Sequence, residues 1–339
     1  MDSITNPDHF ALGTYRAGTQ PAFVGLVSGD RVVPLALLYA AWLGSRRSQA
    51  GRLADCSSVL ALLEDWDRHF EVLQTVHAFG IERGFYQAEA GLPVHRLAAI
   101  TPLPPVTRPS KILNCASNYS AHLAEMRQYA SRDGVDPATL YSGDKSSAQP
   151  YLFLKAPSSL IGATDDIVLP GADDQIDWEA ELGVVIGTPA RHVAASKALS
   201  HIAGYVAFND VSWRNVLFRA DRPNLRSDWL SSKSADTFGP CGPWMLPRAF
   251  VPAHGLLRLQ LRVNGEVRQN GLAGEMIYSP EEQIEYASRL MTLESGDLLA
   301  TGTLGGVGQG TGIFLNAGDL VETDVEGLGV ARNRVVMRP

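Results

Sequence analysis

The stretch ITPLPPVTRPSK, Ile100 to Lys111, places four prolines in twelve residues. Proline lacks an N–H and has a fixed φ, so this stretch can continue neither a helix nor a central strand. It divides the 339 residues into a small N-terminal α+β domain, 1–105, and a larger domain, 106–339. Both pieces are long enough to bury a core. The first opens on strand-like FALGTY, AFVGLV and RVVPL, then turns helical in SSVLALLEDWDRHFEVLQTVHAFG, where apolar residues recur every three or four positions. The second reads as mostly β with short helices: KILNCA, PYLFLKA, DIVLP, DWEAELGVVIG and YVAFND as strands, AASKALSHIAG as a helix ending on Gly204. LRLQLRVNGEVRQ is a hairpin turning at Asn264-Gly265, and SPEEQIEYASRLMTL is a helix with a Ser-Pro-Glu-Glu start. The fold class is mixed α+β and β-rich.

Net charge is −7, and no Lys/Arg-rich run interrupts the chain. That balance argues against a nucleic-acid or anionic-membrane partner. The apolar patch PLALLYAAWLG is far shorter than the roughly 20 residues that cross a bilayer, and MDSITNPDHF has the pattern of no signal peptide. Cys56, Cys115 and Cys241 are widely spaced and odd in number, which reads as reduced thiols in a cytoplasmic protein.

The chemistry gathers in three places. In DWEAELGVVIG, Glu179 and Glu181 are two apart, so on a strand both carboxylates face one way about 6.6 Å apart. On a wet face this is ordinary. On a buried face the two charges repel by about 2.5 kcal/mol at an effective dielectric of 20, and a cation is the simplest remedy. Asp210 closes the apolar GYVAFND ahead of VSWRNVLF, where it is either the N-cap of a short helix or a third oxygen ligand. Three carboxylates without a His/Cys pattern suit a hard divalent cation, Mg2+ first, with Mn2+ or Ca2+ as alternatives, rather than Zn2+. In NYSAHLAEM, His122 and Glu125 share a helix face. They are either a surface pair or a base whose Glu fixes the imidazole tautomer while the other nitrogen deprotonates water. Lys155 and Lys233 sit in apolar or turn contexts, as snorkelling side chains or as cations for a substrate. The Gly-rich TGTLGGVGQGTG lacks the register of a phosphate loop and reads as backbone approaching a ligand or metal.

In order along the chain, NYSAHLAEM, LFLKAPSSLIG, DWEAELGVVIG, GYVAFNDVSWRN, KSADTFGPCGPW, VNGEVRQ, ESGDLLATGTLGGVG and VEGLGVARNRV resemble the fumarylacetoacetate hydrolase family. The resemblance implies a mixed β-sandwich roll as catalytic domain, preceded by a smaller domain, in a homodimer. It also implies that Glu179, Glu181 and Asp210 hold the divalent cation and that His122 and Glu125 form a dyad on a lid helix. Lys233 is then catalytic, and Lys155, Thr303, Asn118 and Tyr119 are substrate-side. The implied reaction is hydrolysis of a carbon–carbon bond in a 2,4-dioxo acid, an acylpyruvate or a diketo-deoxy sugar acid, with release of pyruvate. The alternative on the same metal site is a 2-oxo acid decarboxylase, or an isomerase or lyase of hydroxydienoates. Three features depart from the family pattern: a longer stretch from Met126 to Tyr151, Ser232 where Gly often precedes the lysine, and CASNY without its usual glycine.

Overall fold

The computed structural model describes residues 4–45, 51–87, 91–132, 142–172, 174–225 and 227–338. The chain begins with three antiparallel strands, β1 (Ala11–Arg16), β2 (Phe23–Ser28) and β3 (Arg31–Pro34), followed by helices α1 (Leu35–Gly44), α2 (Val59–Leu63) and α3 (Trp66–Glu82). Two short strands, β4 (His95–Arg96) and β5 (Thr101–Leu103), flank this sheet in the order β4-β3-β2-β1-β5. The proline-rich stretch thus supplies an edge strand, the one sheet position proline tolerates. The proposed division of the chain at 105/106 falls just after it.

The second sheet holds the site. It begins with β6 (Ile112–Ala116) and, past helix α4 (Ser120–Arg132), β7 (Tyr151–Lys155); the short β8 (Leu160–Ile161), β9 (Ile167–Leu169) and β10 (Ile176–Asp177), which follow along the chain, pair in other sheets. Next come β11 (Ala180–Ile186), helix α5 (Ala195–Ala198), β12 (Ile202–Asn209), β13 (Ser212–Trp213), helix α6 (Trp229–Lys233), β14 (Gly239–Pro240) and β15 (Leu246–Pro247). Gly204, expected to end a helix, lies inside β12: the α-helix ends at Ala198, a 3-10 turn follows over Leu199–His201, and the fully buried run from Ile202 pairs with β11. The chain closes with the hairpin β16 (Arg258–Val263) and β17 (Glu266–Leu272), helix α7 (Pro280–Leu290), β18 (Leu298–Thr303), helix α8 (Gly308–Thr311), β19 (Leu320–Val325) and β20 (Gly329–Met337). Asn264 and Gly265 turn the hairpin with φ of 53° and 82°, and Ser279 and Glu282 form a reciprocal capping box at the start of α7.

The six-stranded sheet runs β15-β12-β11-β18-β6-β7, and a five-stranded sheet, β17-β16-β19-β20-β9, packs beside it. Four strand spacings separate β7 from β12, about 19 Å if the sheet were flat. Yet Lys155 on β7 places its Nζ 2.7 Å from Oδ1 of Asp210, just past the end of β12. The sheet must therefore curl into a roll. Its edges are joined through β8 and β14, which pair in parallel, and through Cys241, which bridges to Phe208 of β12. One apolar cluster runs from Leu12 and Leu26 of the first sheet to Ile112, Val185, Val206 and Ala300 of the roll, so the N-terminal residues help pack it. No helix among the described residues is long and apolar enough to cross a membrane.

Candidate metal centre

Glu179, in the short gap between β10 and β11, and Glu181, in β11, reach the same point inside the roll as Asp210. One carboxylate oxygen from each lies within 4.8 Å of the others, and all three residues are buried. Asp210 follows β12 directly and is no helix cap, because the chain continues as β13 and a single 3-10 turn. The backbone fixes the ligands relative to one another: Asn209 Oδ1 accepts from the Glu179 N–H, and the Asp210 N–H donates to the Glu179 carbonyl.

Three cations neutralise the cluster. Lys233 donates to Glu179 Oε2 (2.8 Å) and Asp210 Oδ2 (2.7 Å), and Lys155 donates to Asp210 Oδ1 and to the Val211 carbonyl. Arg214 bridges Asp177 Oδ2 (2.8 Å) and Glu179 Oε1 (2.6 Å). Burial alone would raise the Glu179 carboxyl, but Lys233, Arg214 and His122 outweigh it and hold that group well below the usual range. Glu181 goes the other way. Burial, then repulsion from Asp210 and Glu179, holds its carboxyl well above the ordinary value, against Lys233 and the N–H of Gly302. Lys233 is raised because Asp210 and Glu179 overcome its burial, whereas Lys155 is lowered by burial with help from Lys233.

This donor set fits a hard divalent cation. Oxygens sharing such an ion at about 2.1–2.5 Å stand about 3–5 Å apart, and a carboxylate oxygen that accepts one hydrogen bond keeps a second lone pair. With all four carboxyls ionised, Asp177 included, four negative charges face the three cations of Lys155, Lys233 and Arg214. A divalent ion would turn that deficit of one into an excess of one, which suits an anionic substrate.

His122 and Glu125 stand on α4 over this cluster. They are buried and half-buried, and their facing atoms, Nδ1 and Oε2, are 4.0 Å apart with no hydrogen-bond partner on either among the described residues. The expected bond between them is thus not made in this structure, and the two must approach by about 1 Å to form it. Glu125 is instead anchored through Oε1, which accepts from Gly306 N–H at 2.7 Å. Residues 133–141 of the long stretch after Glu125 lie outside the described residues.

The other expected substrate contacts divide. Asn118 is fully buried, donates from Nδ2 to the carbonyls of Tyr278 and Thr301, and accepts at Oδ1 from the Tyr278 N–H. In this structure the side chain is a bracket that ties the segment before α4 to the backbone of Tyr278 and of β18. Thr303 is similarly engaged, donating to the Ala180 carbonyl and accepting from Gln269. Tyr119 is buried with its hydroxyl unpartnered, and burial, then the charge of Glu181, keeps the phenol protonated.

Asp177, which the sequence reading passed over as it did Arg214, and Gly302, inside the glycine-rich stretch that it singled out, complete the site. Asp177 accepts from the N–H groups of Trp178, Gly308 and Gln309 as well as from Arg214, tying the glycine loop to the ligand strand. It continues the alternation of Glu179 and Glu181 one step back, which was a readable signal. Gly302, with φ of 102°, could not carry a side chain, since a Cβ there would meet Asn118 Cβ at 2.6 Å; its bare backbone lets the N–H reach Glu181.

Residues 111–336 match the fumarylacetoacetate (FAA) hydrolase C-terminal family. The chain belongs to the fumarylacetoacetate hydrolase family. Within it, the human mitochondrial oxaloacetate tautomerase FAHD2A is 36% identical over 249 residues, 73% of this chain and 73% of that protein. A maleylpyruvate hydrolase from Sphingobium sp. SYK-6, solved with manganese(II) and pyruvate, superposes with a TM-score of 0.69 at 25% identity, covering 97% of this chain and 100% of that one. The 5-carboxymethyl-2-hydroxymuconate delta-isomerase from Mycobacterium smegmatis gives 0.65 at 26% identity, covering 97% and 99%. This member of the fumarylacetoacetate hydrolase family is accordingly a metal-dependent enzyme, with hydrolases, isomerases and tautomerases among its relatives.

Proposed function

We propose that the protein hydrolyses the bond between C3 and C4 of a short 2,4-dioxo acid, releasing pyruvate and a carboxylic acid, with Mg2+ or Mn2+ held by Glu179, Glu181 and Asp210. The observation that carries this reading is the buried His122, whose free Nδ1 faces the free Oε2 of Glu125 beside the carboxylate cluster. A bound divalent cation supplies Lewis-acid stabilisation of negative charge developing on the 2-oxo oxygen. Once Glu125 closes on Nδ1, it fixes the imidazole so that Nε2 can take a proton from water. The resulting hydroxide attacks C4, the C3–C4 bond breaks with its electron pair passing into the pyruvate enolate, and His122 returns the proton to C3. Lys233 gives two N–H bonds to ligand carboxylates, and Lys155 gives one to Asp210 and one to the Val211 carbonyl, so both position the cluster while each ammonium has a third N–H to offer a substrate oxygen. We further assign the protein to a homodimer in the cytoplasm, which size-exclusion chromatography and fractionation check.

The 36% identity to an oxaloacetate tautomerase favours a second reading, in which the same His122 moves a proton between C3 and the 2-oxo oxygen of an oxo-diacid and no carbon–carbon bond breaks. A panel of 2,4-dioxo acids and oxaloacetate, assayed with Mg2+ or Mn2+, separates the two. Hydrolysis gives pyruvate and loses activity in His122→Ala. Tautomerisation gives only loss of enol absorbance. Turnover that survives both strong chelation and His122→Ala would sink the proposal.

A further inference from the structure

One buried polar side chain has no part in the mechanism above. Asn114, in β6, is fully buried, and neither its Nδ2 nor its Oδ1 has a hydrogen-bond partner among the described residues. An amide shut away from water without partners is costly, and native structures contain few of them. Asn118, four residues later, shows what a structural asparagine looks like in this fold, with three bonds to backbone.

The register places the Asn114 side chain. It lies directly opposite Phe153 on β7 and beside Ala300 on β18. Residues directly opposite share a face of the sheet, with Cβ atoms about 5 Å apart. That face is the inner one. The Phe153 ring lies under Lys233 Nζ at 5.4 Å, and Lys155, two residues beyond Phe153, reaches Asp210. On the other flank Gly302, two residues beyond Ala300, holds Glu181. The unpaired amide therefore faces the inside of the roll, between the wall that carries Lys155 and Phe153 and the wall that anchors Glu181.

We propose that Asn114 is a specificity-determining residue that binds an oxygen function at the tail of the substrate, the end remote from the 2-oxo carboxylate. This rests on the reading of the centre as a 2-oxo acid site. The amide offers two N–H donors and a carbonyl acceptor, which match a carboxylate, carbonyl or hydroxyl tail. An alkyl tail would leave both polar atoms unpaired and dry, and sites built this way reject analogues that lack the polar group.

The test compares two unreactive five-carbon acids, 2-oxoglutarate and 2-oxopentanoate, by calorimetric titration into the full chain saturated with Mn2+. Wild type, Asn114→Leu and the smaller Asn114→Ala are measured, with Mn2+ affinity and melting temperature recorded for each. We expect wild type to prefer 2-oxoglutarate by about tenfold or more. The variants should lose that preference, bind Mn2+ as wild type does, and Asn114→Leu should melt no lower than wild type because it removes an unsatisfied group. Retained preference in either folded variant overturns the proposal, as does a wild type that binds both acids alike. A lower melting temperature with unchanged preference assigns Asn114 a purely structural role. Failure of both acids to bind wild type overturns the 2-oxo acid reading itself, an outcome distinct from equal binding of the two.

Discussion

Replacing Lys233 with methionine removes the cation that touches two ligand carboxylates at once, Glu179 at 2.8 Å and Asp210 at 2.7 Å. All three groups are buried. Breaking a buried ion pair by deleting one partner costs about 3–5 kcal/mol, because the remaining charge is left uncompensated. Unfolding entropy of about 2.1 cal/mol/K per residue amounts to about 0.7 kcal/mol/K for a chain of this length, so the loss converts to a fall of about 4–7 °C in melting temperature. In chelator, differential scanning fluorimetry should show this fall in full. In saturating Mn2+ most of it should disappear, since an ion held by the same carboxylates replaces the missing positive charge and so stabilises the variant more than wild type. By linkage, direct titration should show that the variant binds Mn2+ more tightly than wild type by about 100-fold or more, the factor that recovers about 3 kcal/mol. An equal fall with and without the ion, or weaker Mn2+ binding, would refute the view that Lys233 and the cation neutralise the same charges.

Gly306→Ala should destabilise the protein by at least about 2 kcal/mol in urea unfolding, since the residue has φ of 97° and a Cβ would stand 2.0 Å from the Arg268 carbonyl. It should also lower turnover by releasing Glu125. His77 is depressed by burial, with Nε2 facing the Pro7 carbonyl and Nδ1 facing the Tyr86 hydroxyl. Its neutral form is the one the fold holds, so its contribution is complete above the unfolded value of about 6.5 and fades as pH falls below it, by up to about 1.4 kcal/mol per unit. Melting temperatures between pH 7.5 and 5 should therefore fall less steeply in His77→Gln, and parallel curves would count against this. Native thiol titration should label Cys56 first, because Cys115 and Cys241 are buried and burial raises both thiols, Cys241 to about 12.

Much of the site could be read from local pattern. The alternation of Glu179 and Glu181 places two carboxylates on one face whatever surrounds them, and Asn264-Gly265 turns a hairpin because both positions tolerate positive φ. What escaped the sequence was decided by tertiary contact. Gly204 looked like a helix end until the pairing of β12 with β11 claimed the residues before it. Asp210 read from its junction alone as either a cap or a ligand, and the extended chain beyond it removes the cap. Arg214 carries no local mark of its bridge between Asp177 and Glu179, and Asn118 matched a substrate contact in type while spending its hydrogen bonds on backbone 160 and 183 residues away.

The curl that brings Lys155 to Asp210 also sets an order of events during synthesis. The two glutamates and Asp210 leave the ribosome long before Gly302, whose N–H holds Glu181, and before Gly306, which anchors Glu125. Until β18 emerges and slots between β11 and β6, the roll cannot close and like charges have no fixed partners. Long-range pairings of this kind form late. Cation binding should therefore arrive as one of the last acts of folding, and a nascent chain halted before about residue 300 would be unable to hold its ion.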